Sequence, residues 1–387
     1  MTEPLENSPP VFTPPPCGAR RLGVRWIIGL LFALGAAAGP FRDTGDGISV
    51  REDSDPAGPW AISIVRFERS RTNLALVPTL GDGRRLGLGT LTVQIAAVPP
   101  ELGTPLAAIN GDFYRTEQES FSGDPRGLLI VRGELLSAPT ERDCFWIDTN
   151  GTPHIGVVRA SFTVTWPDGS RAALGLNEEP EGDAAVLFTP AGAALGRQAG
   201  GARLTLQAPT NGPWLPIRPG NAYDAVVAAD NARRTNRMTL VLPGLLRRFS
   251  SPAAPGQTVR LAFDTTPSLQ GVETALGGGP ALIRDGKIQP ARAVKSNVRH
   301  PRSALGWNAE HFFLVTVDGR QPGWSDGMTL PELANCLHRL GCTEAINLDG
   351  GGSTELWLRG AIVNRPCYGY ERQTATGLVL VQRPTGR

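Results

Sequence analysis

Lysine is almost missing from this 387-residue chain. Lys287 and Lys295 are the only two among 38 basic residues, and the other 36 are arginine. Such a bias suits a GC-rich coding sequence, so selection for bidentate anion contacts applies to one or two of those arginines only. Excess charge is scarce as well. With 36 acidic residues the formal charge is +2, and no global field draws nucleic acid or an anionic membrane. Histidine is limited to His154, His300, His311 and His338. None has a partner pattern for a serine hydrolase, and Ser353 lies in Gly-Gly-Ser-Thr-Glu rather than G-x-S-x-G. Long apolar runs are absent too. The longest covers residues 26–38, short of the roughly 20 residues that span a bilayer. The body from residue 40 onward is therefore expected to be soluble.

What is abundant is glycine and proline, 47 and 34 residues. That composition is turn-rich and argues against a helical bundle. It has no collagen period, and at 41% apolar residues the chain is too hydrophobic for wholesale disorder.

Residues 1–25 are proline-rich and end in Arg20, Arg21 and Arg25, ahead of the apolar run. A basic stretch, a short apolar run and small residues at Ala36 and Ala38 form the signal-peptide pattern, with cleavage after Ala38. An uncleaved membrane anchor is the alternative. Either way the body is expected outside the cytosol, secreted or attached to the envelope. Residues 39–58, mixed charges with several glycines, read as a linker, and 59–385 as one large domain. Cys144, Cys336, Cys342 and Cys367 follow the export segment. An even number in an oxidising compartment allows two disulfides, for which Cys336 and Cys342 are near in sequence; four buried thiols are the other reading. No spacing of Cys and His suggests zinc.

Strands dominate the body. Residues 61–67, 162–166 and 171–174 alternate, the last two joined by a Pro167-Asp168-Gly169-Ser170 turn. Residues 128–131 and 134–136 form another hairpin about Arg132-Gly133. Further strands are expected over 202–207, 223–229, 237–242, 258–264, 311–317, 344–348, 355–358 and 376–382, with 86–98 ambiguous. One helix is clear: Thr329 and Glu332 have capping-box spacing, apolar residues follow to Leu340, and Gly341 ends it. The class is α+β, strand-rich with a few helices.

Polar residues gather at strand ends. In Ala345–Glu355, alternation puts Asn347 and Asp349 on one face, and Gly350, Gly351 and Gly352 clear the space around the carboxylate. Glycine there permits positive φ and close approach to the backbone, and its N–H groups can form an anion-binding nest. Asn110-Gly111-Asp112 ends a second strand. Arg299 to Trp307 brings His300 and Arg302 before a third, and Asp318-Gly319 ends a fourth. A site assembled from strand ends is a common design.

The ordered set of NGDFY (110–114), GGGPALIRDGK (277–287), RHPRSALGW (299–307), the stretch 317–334 and INLDGGGSTELWLRGAIVNRP (346–366) resembles the phosphodiester glycosidase family. Its namesake removes N-acetylglucosamine from a sugar-phosphate diester. The resemblance implies a single strand-rich catalytic domain hydrolysing the bond between an anomeric carbon and a phosphodiester or related glycan. Asp112 and Cys367 stand where other residues are common, and the match is loosest over 150–270.

Glycoside cleavage passes through an oxocarbenium-like state that carboxylates stabilise. A phosphate leaving group needs cations and N–H donors more than an acid. Asp349 is thus expected as the principal carboxylate, with Asp318 or Asp112 as the second. Arg302 is expected to clamp phosphate, unless it pairs with Asp318. Asn110, Asn347, Gly350, Gly351, Gly352 and Ser353 are expected to hold the sugar. His300 supports the site, and Glu355 faces solvent on its strand. No cofactor is expected; a Ca²⁺ ion among Asp112, Asp318 and Asp349 is the alternative. A cell-envelope protein that binds carbohydrate without cleaving it is the competing function.

Overall fold

Period-2 alternation builds a central antiparallel sheet. Its order is Arg42–Gly45, Ile48–Asp55, Trp60–Glu68, His311–Val317, Arg302–Trp307, Glu344–Asn347, Ala281–Arg284 and Lys287–Ile288. The computed structural model describes residues 39–384, except 56–57, 210–213, 230–236, 243–252 and 291–296. The export reading of residues 1–38, with Cys17, lies outside them. Ala38–Arg387 forms one unit.

The stretch expected as a linker is instead a hairpin on this sheet. Ile48–Asp55 pairs along its whole length with Trp60–Glu68, Val50 facing Val65. Ile48 is fully buried, while Arg51 and Asp53 pair with each other at 2.8 Å. Edge strands carry charge readily because one side meets water, and that charge hides the alternation.

The helix forms as expected, over Leu330–Arg339. Thr329 Oγ1 accepts from the Glu332 N–H, and Glu332 Oε2 accepts from the Thr329 N–H at 2.8 Å. Gly341 follows at φ +85°. Leu333, Ala334 and Leu337 lock one helix face against Ile64, Val315 and Ala345 of the sheet. Removing a cap of this kind costs about 1 kcal/mol. Thr329→Ala should therefore lower the urea midpoint with an unchanged slope.

The other face of the central sheet packs on two five-stranded sheets through Leu305, Trp307, Ile346 and Phe145. One has the order Ala361–Ile362, Leu356–Leu358, Thr104–Asn110, Thr376–Gln382, Leu74–Leu80; the other has the order Glu134–Ser137, Leu129–Val131, Thr274–Gly277, Asp143–Ile147, Pro153–Val157. The Arg132-Gly133 hairpin turn is present, with positive φ at both residues. The ambiguous 86–98 segment contains a short helix, Leu91–Ala96.

Seven strands between Arg159 and Thr266 close into a barrel, and its Phe162, Leu240, Leu261 and Phe263 share one buried cluster with Ile130, Trp146 and Ala275 of the second five-stranded sheet. Its first and last residues, Arg159 and Thr266, face each other across paired strands. This is the region where the sequence resemblance is loosest. All four cysteines after the N-terminal segment are free thiols. Burial raises Cys144 and Cys342 to about 12 and Cys336 to about 11. Of the two readings left open for the cysteines, the structure has the free thiols: Cys336 lies in the helix and Cys342 past its end, against Gly306 of the sheet, in the same buried cluster.

Candidate active site

Antiparallel pairing decides which strand ends meet. Arg302 faces Val317, and Ala304 faces Asn347. The start of 302–307 therefore lies beside the ends of 311–317 and 344–347. The neighbouring sheet adds the end of Thr104–Asn110. The Asp349 N–H donates to the Gly111 carbonyl at 3.0 Å and ties the two sheets together there.

Asn110 reinforces this seam. Its Nδ2 donates to the Asp349 carbonyl at 2.6 Å, and its Oδ1 accepts from Ser303 Oγ and the Glu355 N–H. The residue is fully buried. Its amide, expected to contact sugar, is instead taken up in fixing the backbone that carries Asp349.

Asp349 and Asp112 come together. The Asp349 Oδ1 accepts from the Gly350 N–H at 2.9 Å. Burial raises its carboxyl to about 6, against the opposing pull of Ser353, that N–H, Arg372 and Arg142. Asp112 is raised to about 7, again by burial first, with Asp349 adding to the rise and Arg142 opposing it. The Asp112 Oδ1 accepts from the Phe113 N–H, while Oδ2 is buried with no hydrogen-bond partner. That oxygen lies against two glycines: a Cβ added at Gly277 would sit 2.1 Å from it, and one at Gly127 2.7 Å.

Asp318 is elsewhere engaged. Its carboxylate accepts from Trp324 Nε1 at 2.9 Å, from Asn364 Nδ2 at 3.1 Å and from the Arg365 N–H at 3.0 Å. It neither lines the cleft nor pairs with Arg302. A saturated carboxylate has nothing left for a cation. Among the described residues no cluster of three His, Cys, Asp or Glu could hold a metal, and the Asp318 carboxylate is turned to Trp324, Asn364 and Arg365.

The glycine turn is not an open nest. The Gly350 N–H goes to Asp349, Gly351 to Pro301, Ser353 to Gly350 and Thr354 to Gly351. The glycines instead serve close approach. A Cβ at Gly350 would sit 2.6 Å from the Pro301 carbonyl, and one at Gly352 2.3 Å from the Tyr368 ring. Gly351, at φ +62°, leaves room for the Arg320 guanidinium, 3.1 Å from where a Cβ would be. Ser353 is fully buried beneath the turn. Glu355, expected to face solvent, is also buried. Its Oε1 accepts from the Arg372 N–H, and burial raises its carboxyl to about 8.

A cleft of about 580 Å³ opens over Asp349, with Asn347, Gly350, Gly351, Phe113, His300 and three arginines, 142, 302 and 320, in its wall. Arg302 donates to the carbonyls of Met328 and Val298, both at 2.8 Å. Burial and the Arg320 charge lower its pKa to about 10. Arg320 lies 3.1 Å from His300 Nδ1, and Arg142 sits over the Phe113 ring at 4.6 Å. None of the three has a carboxylate ion-pair partner among the described residues. Asn347 donates to the Gly279 carbonyl and keeps a buried Oδ1 without a partner. Arg320 was present in a quoted motif but carried no signal of its own. Arg142, between two strands, carried none at all.

A carboxyl held ready to ionise beneath three guanidinium groups that no carboxylate neutralises among the described residues suits cleavage next to a phosphate. Residues 243–381 match the family model for phosphodiester glycosidase. The match thus covers the C-terminal part of the chain. It contains Arg302, Arg320, Asn347 and Asp349, while Asp112 and Arg142 come from outside it. The SPbeta prophage-derived uncharacterized protein YomE of Bacillus subtilis is 31% identical over 115 residues, which is 29% of this chain and 18% of that protein. The fold is similar to that of a Synechocystis hypothetical protein, at TM-score 0.67 and 20% identity, over 89% of this chain and 64% of that one. A candidate exported protein of Burkholderia pseudomallei matches at TM-score 0.62 and 23% identity, over 84% of this chain and 74% of its own. The chain thus spans under two thirds of the first of these structures and less than a fifth of YomE.

Proposed function

We propose that this chain is an exported glycosidase that hydrolyses the bond between the anomeric carbon of an N-acetylglucosamine-like sugar and a phosphodiester. The observation that carries the reading is the set of arginines 142, 302 and 320, without carboxylate partners, around Asp349. Water adds to the anomeric carbon, the bond from that carbon to oxygen breaks, and its electron pair leaves on the phosphate oxygen. The products are the free sugar and a phosphate monoester. The guanidinium groups hold the phosphate and its growing charge. Asp349, ionised above about pH 6, stabilises the oxocarbenium-like state or takes the proton of the attacking water. Asp112 acts through Asp349: while it keeps its proton, it leaves Asp349 as the only anion of the pair. The free Oδ1 of Asn347 accepts an N–H or O–H from the sugar. Asp318 takes no part in the chemistry. Export is supported by the leader-like residues 1–38 and by the Burkholderia neighbour. Among the described residues no helix is long and apolar enough to cross a membrane.

Sugar release from a panel of glycosyl-1-phosphodiesters, including UDP-N-acetylglucosamine, tests the proposal, with and without chelator. Binding by the wild type with no release would instead favour the non-catalytic carbohydrate-binding protein. A charge-assisted hydrogen bond is worth about 1.5–3 kcal/mol. Arg142→Ala and Arg320→Ala should each cost roughly tenfold to a hundredfold in kcat/KM. A phosphate-free aryl glycoside, if cleaved, should be affected much less.

A further inference from the structure

Asp318 was freed from the chemistry by its four hydrogen-bond contacts, and what those contacts hold is informative. Its carboxylate fixes the Trp324 indole N–H, the Asn364 amide and the Arg365 backbone. Ser325 Oγ adds a bond to its carbonyl, and Gln321 Nε2 reaches the Arg365 carbonyl. The segments 318–326 and 364–370 are thereby joined into one rim. The rim meets the cleft at the glycine turn, where Arg320 lies on Gly351 and the Tyr368 ring on Gly352.

This rim bears large aromatic faces turned to water. Trp324 is 49% exposed, Tyr368 51% and Tyr370 65%. Among the described residues, no other tryptophan or tyrosine is exposed. Tyr368 and Tyr370 are stacked, with ring centroids 5.9 Å apart and 25° between planes, and Arg365 lies over Trp324 at 5.7 Å. Exposed aromatics continuous with a polar cleft mark ligand contact. The Trp324 ring, held by its hydrogen bond to Asp318, and the Tyr368 and Tyr370 rings, held by stacking on each other, offer flat faces at little entropic cost. Flat faces rimmed by N–H and O–H donors suit pyranose rings, whose C–H faces stack and whose hydroxyls bond at the edges.

We propose that Trp324, Tyr368 and Tyr370 form a subsite for further sugar rings of an extended glycan, running out of the cleft over Gly351 and Gly352. Asp318 is the positioning residue of this subsite. The inference rests on the proposed carbohydrate chemistry of the cleft but not on its phosphate step, so neutral glycans probe it separately. The probes are chitotetraose, cellotetraose and maltotetraose, each beside its monosaccharide, titrated calorimetrically into the whole protein. Uridine monophosphate serves as the planar-base control.

At least one tetrasaccharide should bind tenfold or more tightly than its monosaccharide. Tyr370→Ala should remove that gain, and Tyr370→Phe should retain it. Asp318→Asn should weaken the tetrasaccharide while leaving N-acetylglucosamine-1-phosphate unchanged. A gain that survives Tyr370→Ala and Trp324→Ala overturns the proposal, as does absence of a chain-length effect with all three glycans. Tighter binding of uridine monophosphate than of any glycan, lost in Tyr370→Ala, would assign the rim to a nucleobase and also overturn it. Failure of the phosphate reading looks different: no diester is cleaved, yet the chain-length effect persists.

Discussion

Replacing Asp349 by asparagine is expected to lower sugar release from a glycosyl phosphodiester by about 10²–10⁴-fold, the range typical of a lost acid–base group. Binding of the diester should change little, because the three guanidinium groups remain. In the wild type, the rate should rise as Asp349 ionises near pH 6 and fall as Asp112 loses its proton near pH 7. A narrow optimum between those values follows, and a profile flat from pH 5 to 9 would sink the assignment. Stability should instead fall steadily across the same range. Both carboxyls are raised above their unfolded values. Their contribution is fully present below about pH 4 and is lost as pH rises through 6 and 7. Asp112→Asn and Asp349→Asn should therefore be more stable than the wild type at pH 8, and no different or weaker at pH 4. Denaturant titrations at the two pH values check the sign.

Gly277→Ala should have the second large effect. The new methyl would lie 2.1 Å from Asp112 Oδ2, 2.6 Å from its carboxyl carbon and 3.0 Å from the Gly127 Cα. Asp112 is clamped at its own backbone, where its N–H donates to Thr376 Oγ1 at 3.0 Å, so it cannot simply swing aside. Overpacking of this kind costs roughly 1–3 kcal/mol. Activity should fall by more than tenfold, while affinity for inorganic phosphate stays within about twofold, since no arginine of the cleft is touched. Combining Gly277→Ala with Asp112→Ala should recover most of the stability, as contacting pairs are non-additive. Simple addition of the two losses would show that the strain lies elsewhere.

Much of the scaffold was legible because it obeys local rules. The capping box at Thr329, the hairpin about Arg132-Gly133 and the strand leading to Asp349 each carry their signal within a few residues. Apart from NGDFY (110–114), the family resemblance was carried by residues in the same C-terminal stretch that the family model matches. Other features were set by distant partners. The 42–55 hairpin was masked by charges that an edge strand tolerates. Cys336 and Cys342 are near in sequence but held by different elements. Asp318 and Glu355 look alike on paper, each a carboxylate at a strand end. Only their surroundings show that one is saturated by N–H donors and the other is buried. Arg142 had no motif around it, and it joins the cleft because its loop is carried there by the strand that follows it.

The order in which this chain can assemble follows from its pairings. The barrel needs only residues 159–266, whose ends already touch. The central sheet must join 60–68 to 311–317, and the neighbouring sheet must join 104–110 to both 356–358 and 376–382. Pairings of such separation in sequence are slow to form. During synthesis the barrel can close while the sheets around it still wait for their partners. The backbone of Asp112 is held by Thr376, 264 residues further along. The setting of Asp112 therefore waits on a pairing between distant parts of the chain and is incomplete until that pairing forms.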